Sequence, residues 1–133
     1  MARHVAFLRA INVGGSHVVK MDALKAMFED SGFTKVETFI ASGNVIFETP
    51  SRDLGAVERR IEQFLERALG YEVVTFIRSL EDVAAIARYQ PFPASAMASA
   101  VSLNVGLLKE PLPKAASAAL MKLKTGIDDF HTN

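Results

Sequence analysis

At 133 residues, half of them apolar and 23% charged, the chain is long enough for one globular unit or two small halves sharing a core, and its composition excludes wholesale disorder. Fifteen Lys+Arg balance fifteen Asp+Glu, so no long-range field draws in a polyanion, and generic nucleic-acid binding is disfavoured. The absence of cysteine removes disulfides, thiolate metal sites and cysteine nucleophiles together.

The opening M-A-R-H passes straight into a strand-length apolar run without a signal-peptide hydrophobic region, and no window reaches bilayer-spanning length. A soluble, cytoplasmic protein with no membrane contact is the expectation. Residues 5–8 (VAFL) read as a buried strand. The loop over 9–20 is long for a strand-to-helix connection, which marks it as a functional loop. A helix follows, opening near Asp22, with Leu24, Met27 and Phe28 as its apolar stripe and Gly32 as its stop. Strands over 36–40 and 45–48 flank Ala41, Ser42, Gly43 and Asn44, a hairpin-length turn.

Pro50 and Ser51 close that strand and lead into a second helix. Leu54, Val57, Ile61, Phe64, Leu65 and Ala68 share one face of it, and Gly70 ends it. The charges Glu58, Arg59, Glu62, Glu66 and Arg67 read as an ordinary solvated surface. A strand over 73–77 completes a β-α-β-β-α-β order, which two right-handed split crossovers fold into a ferredoxin-like plait over residues 1–78. In that topology the third strand runs back between the first and second. The 9–20 loop and the 41–44 hairpin therefore share one rim with the start of the first helix.

Residues 5–8 are apolar on both faces, so the second face of the sheet needs a cover, and 79–133 is the expected one. There a helix spans 80–88, Gln90-Pro91-Phe92-Pro93 breaks it, and 94–100 reads as a small-residue connector. Val101, Leu103, Val105 and Leu107 then alternate with Ser102, Asn104 and Gly106 as in a half-buried strand. After Pro111 and Pro113 a helix spans 114–122, and a stub begins at Ile127. The fold class is thus α+β: a ferredoxin-like plait followed by a partial second plait-like αβα half, 79–133, packed on the first. A lone strand needs neighbours, so the second sheet must be finished by the stub, by the first sheet or by another copy of the chain, and a homodimer is the expectation.

The blocks V-A-F-L-R-A-I-N-V-G-G at 5–15, K-M-D-A-L-K at 20–25, G-F at 32–33 and T-F-I-A-S-G-N-V-I-F at 38–47 together resemble the bacterial family known as domain of unknown function 1697. Q-P-F at 90–92 is similar to that family's N-P-F segment. The resemblance implies two ferredoxin-like halves and carries with it no established activity, substrate or cofactor. Ala10 stands where family members often have glycine, and the sequence departs from the family after Asp129, so its C-terminal part reads as incomplete.

The residues themselves point to a candidate ligand-binding rim. Arg9, Asn12, Gly14, Gly15 and Lys20 lie in a loop feeding a helix N-terminus, and Ser42, Gly43 and Asn44 should face them. Backbone N–H groups at a helix start, glycines that admit close approach and fixed cations suit a small anion, or a phosphate group on a larger partner. The plain structural alternative is that the glycines serve turns while Asn12 and Asn44 tie the two loops together. Neither a P-loop nor a dinucleotide fingerprint is present.

Ser42 lacks the G-x-S-x-G context of an activated serine, and of His4, His17 and His131 only His17 lies in a segment that reaches it, so no catalytic residue is assigned. The scattered histidines and carboxylates give no metal spacing, and no cofactor is expected. Two other classes stay open. A plait can stack nucleic-acid bases on aromatics of its central strands, here Phe7 and Phe47, though both also suit the core and the K/R-G-F/Y signature is missing. An edge strand can serve as a protein-interaction module.

Overall fold

The computed structural model describes residues 2–9, 11, 18–39 and 43–132. In chain order the elements are β1 (Ala2–Leu8), α1 (Met21–Asp30), β2 (Thr34–Phe39), β3 (Asn44–Thr49), α2 (Leu54–Leu69), β4 (Thr75–Ser79), α3 (Leu80–Arg88), α4 (Ala94–Ser99) and α5 (Lys114–Met121). The four strands form one antiparallel sheet in the order β2-β3-β1-β4, the arrangement of a ferredoxin-like plait. Asn12, Gly14, Gly15, His17 and Ser42 lie outside the described residues. The chain forms two compact units, Met1–Ala87 and Arg88–Asn133.

Alternation along the strands decides what the first unit buries. Ala6 and Leu8 of β1, Val45 and Phe47 of β3, Ile77 of β4 and Val36 of β2 face the helices, where Leu24 and Phe28 of α1 and Val57, Ile61 and Leu65 of α2 meet them. Side chains of this size stabilise by about 1.5–3 kcal/mol each when fully buried. Four phenylalanines form the centre: Phe33 and Phe47 lie 4.9 Å apart edge to face, Phe28 and Phe64 lie 5.2 Å apart edge to face, and Phe28 and Phe47 are 5.8 Å apart.

The helices start and stop for local reasons. Asp53 caps α2, its carboxylate accepting from the Ala56 N–H at 3.0 Å, a bond of a type that contributes about 1 kcal/mol. Gly32, with φ of +93°, takes the left-handed step after α1, and its N–H donates to the Glu29 carbonyl at 3.0 Å. Arg60 of α2 donates to the Ser31 carbonyl just past α1, and its guanidinium carbon sits 4.9 Å from the centre of the Phe33 ring.

The charges of α2 are more than a solvated surface, contrary to expectation. Glu62 accepts from the Thr75 N–H at 3.0 Å and Glu58 from the Ile77 N–H at 3.3 Å, so both carboxylates bind the backbone of β4. Helical periodicity shows which way a side chain leaves its helix, not that a strand edge waits there. On the opposite edge, β2 breaks register between Thr34 and Glu37, and Lys35 takes φ of +47°. Ion pairs join Arg3 to Glu37 at 3.3 Å and Lys35 to Glu48 at 3.9 Å.

In the second unit the structure departs from three expectations. Residues 101–107 form no strand. Their alternation is real, but Val101, Leu103 and Val105 are exposed, and alternation records what a segment could bury, not whether a partner strand exists. The stub from Ile127 is no strand either: the Thr125 hydroxyl accepts from the Ile127 and Asp128 N–H groups in a compact turn. Residues 94–99, read as a connector, are helical because Ala94, Ala96 and Ala98 favour a helix that Pro93 precedes. Around them the Tyr89 hydroxyl and His131 Nε2 are 2.8 Å apart, and the Phe92 ring meets the His131 ring edge to face at 6.2 Å.

His4 is one of three buried polar residues among the described residues, with Thr49 and Thr75; it is 6% exposed and stacked on Phe47 at 5.9 Å. Its Nδ1 is buried without a hydrogen-bond partner among the described residues. Such an orphan costs about 1–3 kcal/mol, so His4→Phe, which keeps the stacked ring and removes the nitrogen, should raise the unfolding free energy by about 1 kcal/mol. The expected readout is a higher urea midpoint at unchanged slope. A fall in the midpoint would show that Nδ1 has a partner after all.

Candidate functional site

The rim at the end of β1 is built by backbone pairing. Phe7 is in register with Asn44, the Leu8 N–H donates to the Gly43 carbonyl at 3.0 Å, and the Arg9 N–H donates to the Val74 carbonyl at 3.0 Å. Arg9, Gly43 and Asn44 are thereby brought together although more than thirty residues separate them in sequence, as the shared rim of the plait requires. Gly43 has to be glycine on two counts. Its φ is +89°, and a Cβ there would lie 3.2 Å from the Leu8 Cβ and 3.5 Å from the Ile11 Cβ.

Two buried side chains pin the loop at its ends, Ile11 after Arg9 and Val19 before Lys20. Arg9 and Lys20 are both exposed. Lys20 is the N-cap of α1, extended at φ −70° and ψ 139°, with no side-chain bond closing the helix start. The amide end of α1 therefore opens on this rim with a lysine at its cap, while Asp22 in the first turn adds one opposing carboxylate. The Asn44 Nδ2 donates to the Phe39 carbonyl at 3.3 Å, which closes the hairpin on itself.

Sequence reasoning passed over Phe39 and Val18, which are 62% and 72% exposed at this end of the sheet. The signal was available for the first: β2 alternation counted from buried Val36 sends Phe39 to the other face. The base-stacking pair is not formed, because Phe47 is fully buried on the helix side while Phe7 belongs to the opposite face of its strand. Among the described residues no group of three or more His, Asp or Glu is placed to hold a metal ion. Among them, too, no helix is long and apolar enough to cross a membrane.

A βαββαβ plait with a pinned, cation-bearing loop at one rim defines the class: an α+β protein whose sheet serves as scaffold for loops. The chain belongs to the family of proteins of unknown function DUF1697, whose model matches residues 1–133. Among solved structures it is similar to the conserved bacterial protein SP0830 from Streptococcus pneumoniae, at 30% identity and a TM-score of 0.58 over 71% of this chain. The match covers 50% of that protein, so the present chain corresponds to about half of its length. No curated protein matches the chain.

The Gly43 geometry makes a stability prediction. Gly43→Ala forces a side chain into a left-handed conformation and against Leu8, and should cost about 1–3 kcal/mol in chemical denaturation. A change below about 0.5 kcal/mol, the scale of an ordinary surface substitution, would mean that the rim is not held by this close approach.

Proposed function

We propose that the protein is a cytoplasmic module that binds a small anionic ligand, or a phosphate group on a larger partner, at the rim formed by Arg9, Asn12, Gly14, Gly15, Lys20, Ser42, Gly43 and Asn44. The observation that carries the reading is the pairing of Leu8 with Gly43, which sets the Arg9 end of β1 beside the hairpin at the rim where α1 begins. Two cations on separately anchored stretches of backbone, beside the amide end of a ten-residue helix with no side-chain cap, suit a ligand carrying negative charge. Exposed Phe39 and Val18 add apolar surface for the uncharged part of such a ligand.

Titration with inorganic phosphate, followed by amide chemical shifts or calorimetry, tests this reading. Binding should weaken with added salt, and Arg9→Ala/Lys20→Ala should lose on the order of tenfold in affinity, the scale of one or two charge-assisted hydrogen bonds. Both side chains are exposed, so the thermal midpoint should stay within a few degrees of the wild type. Equal phosphate binding by the wild type and the double variant, or none by either at millimolar phosphate, would remove the assignment.

A second reading rests on a different observation, the exposure of Val101, Leu103 and Val105 on an unpaired segment. Such a segment suits self-association into a homodimer by strand pairing. Sedimentation at micromolar concentration should then show a dimer that Leu103→Lys/Val105→Lys converts to monomer; a monomeric wild type would end this reading.

A further inference from the structure

We propose that Glu58 and Glu62 form a latch on the outer edge of β4, closing a strand edge that would otherwise pair with β4 of a second copy of the chain. The direction of the backbone groups comes from the register. The Arg9 N–H donates to the Val74 carbonyl, and Thr75 and Ile77 are opposite Leu8 and Ala6, so Val74, Phe76 and Arg78 turn their polar groups toward β1. Thr75 and Ile77 turn theirs outward, where an unprotected edge is a template for another strand.

Side chains occupy that edge. Thr75 N–H donates to Glu62 Oε2 at 3.0 Å and Ile77 N–H to Glu58 Oε1 at 3.3 Å. The Ile77 carbonyl accepts from Arg78 Nη1 at 2.7 Å, and the Val73 carbonyl from the Thr75 hydroxyl at 3.3 Å. The spacing is matched. Glutamates four apart on a helix are separated by about 6 Å along its axis, and outward amides two apart on a strand by about 6.6 Å. The helix residue number rises as the strand number falls, as it must when α2 runs antiparallel to β4. One helical turn thus serves two successive edge amides.

The two edges of the sheet are closed by different means. The β2 edge is distorted by its bulge at Lys35, a feature of the backbone that no side-chain rotation undoes. The β4 edge keeps regular strand geometry beneath carboxylates that a rotamer change would release. Its natural occupant is itself: antiparallel pairing about a twofold axis at Ile77 sets Thr75 opposite Ser79 of the second copy, and each outward N–H meets an outward carbonyl. The same pairing brings the Glu58 and Glu62 carboxylates of both copies toward one seam, so like charges oppose it while the latch is in place.

Hydrogen exchange and sedimentation test the latch in the full chain. In the wild type, Thr75 and Ile77 amides should exchange on the order of tenfold or more slowly than a solvent-exposed edge amide, because a carboxylate acceptor makes a strong hydrogen bond. Free exchange at both would overturn the proposal without any variant. In Glu58→Ala/Glu62→Ala the two amides should exchange on the order of tenfold faster at low concentration and regain protection as concentration rises, together with a new, heavier species. Glu58→Gln/Glu62→Gln retains the acceptor oxygens without the charge, so its two amides should exchange faster than in the wild type but more slowly than in the Ala variant, and it should associate less than the Ala variant. An Ala variant with wild-type mass at all concentrations, association that leaves the exchange of Thr75 and Ile77 unchanged, or a Gln variant that associates like the Ala variant would each overturn it.

Discussion

The phenylalanine cluster is the constraint on which the rest of the first unit depends. Phe28 comes from α1, Phe33 from the turn into β2, Phe47 from β3 and Phe64 from α2, so one group of rings joins both helices to the sheet. Edge-to-face pairs of this kind contribute about 0.5–1.5 kcal/mol each beyond the area they bury. Their larger effect is on register. A one-residue slip of β3 would turn Phe47 outward and present Ile46 or Glu48 to the helices, so the cluster fixes the pairing of His4 with Phe47 and, three steps along, of Phe7 with Asn44. The position of Gly43 beneath Leu8 follows from packing at the far end of the strand.

The first unit was legible in the sequence because its signals are local and agree with one another. The stripe of Leu54, Val57, Ile61 and Leu65, the glycines after both helices and the turn before Asn44 each fix an element without reference to anything distant. The errors lie where a structural fact is non-local. Residues 101–107 alternate like a strand but have no ladder, and only a partner could have revealed that. The roles of Glu58 and Glu62 needed the alignment of α2 over β4, which no spacing within the helix contains. At the rim, the proximity of Arg9, Gly43 and Asn44 was readable from topology, whereas the exposure of Phe39 lies in the β2 alternation and not in the polar motif beside it.

Within a family of unknown function, the described part of this rim joins core packing to exposed charge. Ile11 and Val19 are buried in the core, so the backbone next to the exposed Arg9 and Lys20 is already fixed by packing. The hydrophobic interior and the polar rim are parts of one construction. The exposed charges of Arg9 and Lys20 stand beside backbone that the core holds through Ile11 and Val19.

The contact between Tyr89 and His131 in the second unit has a consequence for how the molecule opens. It joins residues 42 apart, and closing a ring that long costs roughly 3 kcal/mol in chain entropy beyond a constant term. A neutral hydrogen bond contributes only about 0.5–1.5 kcal/mol, so the tie holds by sharing the load with the Phe92 ring and with the Ser117–Thr132 hydroxyl pair at 2.9 Å. None of α3, α4 and α5 has a buried residue to add to it. The ring therefore breathes at a small free-energy cost of its own, well below that of unfolding the sheet, and a protease sampling the native protein meets the chain between Ala100 and Pro113 long before it meets β1.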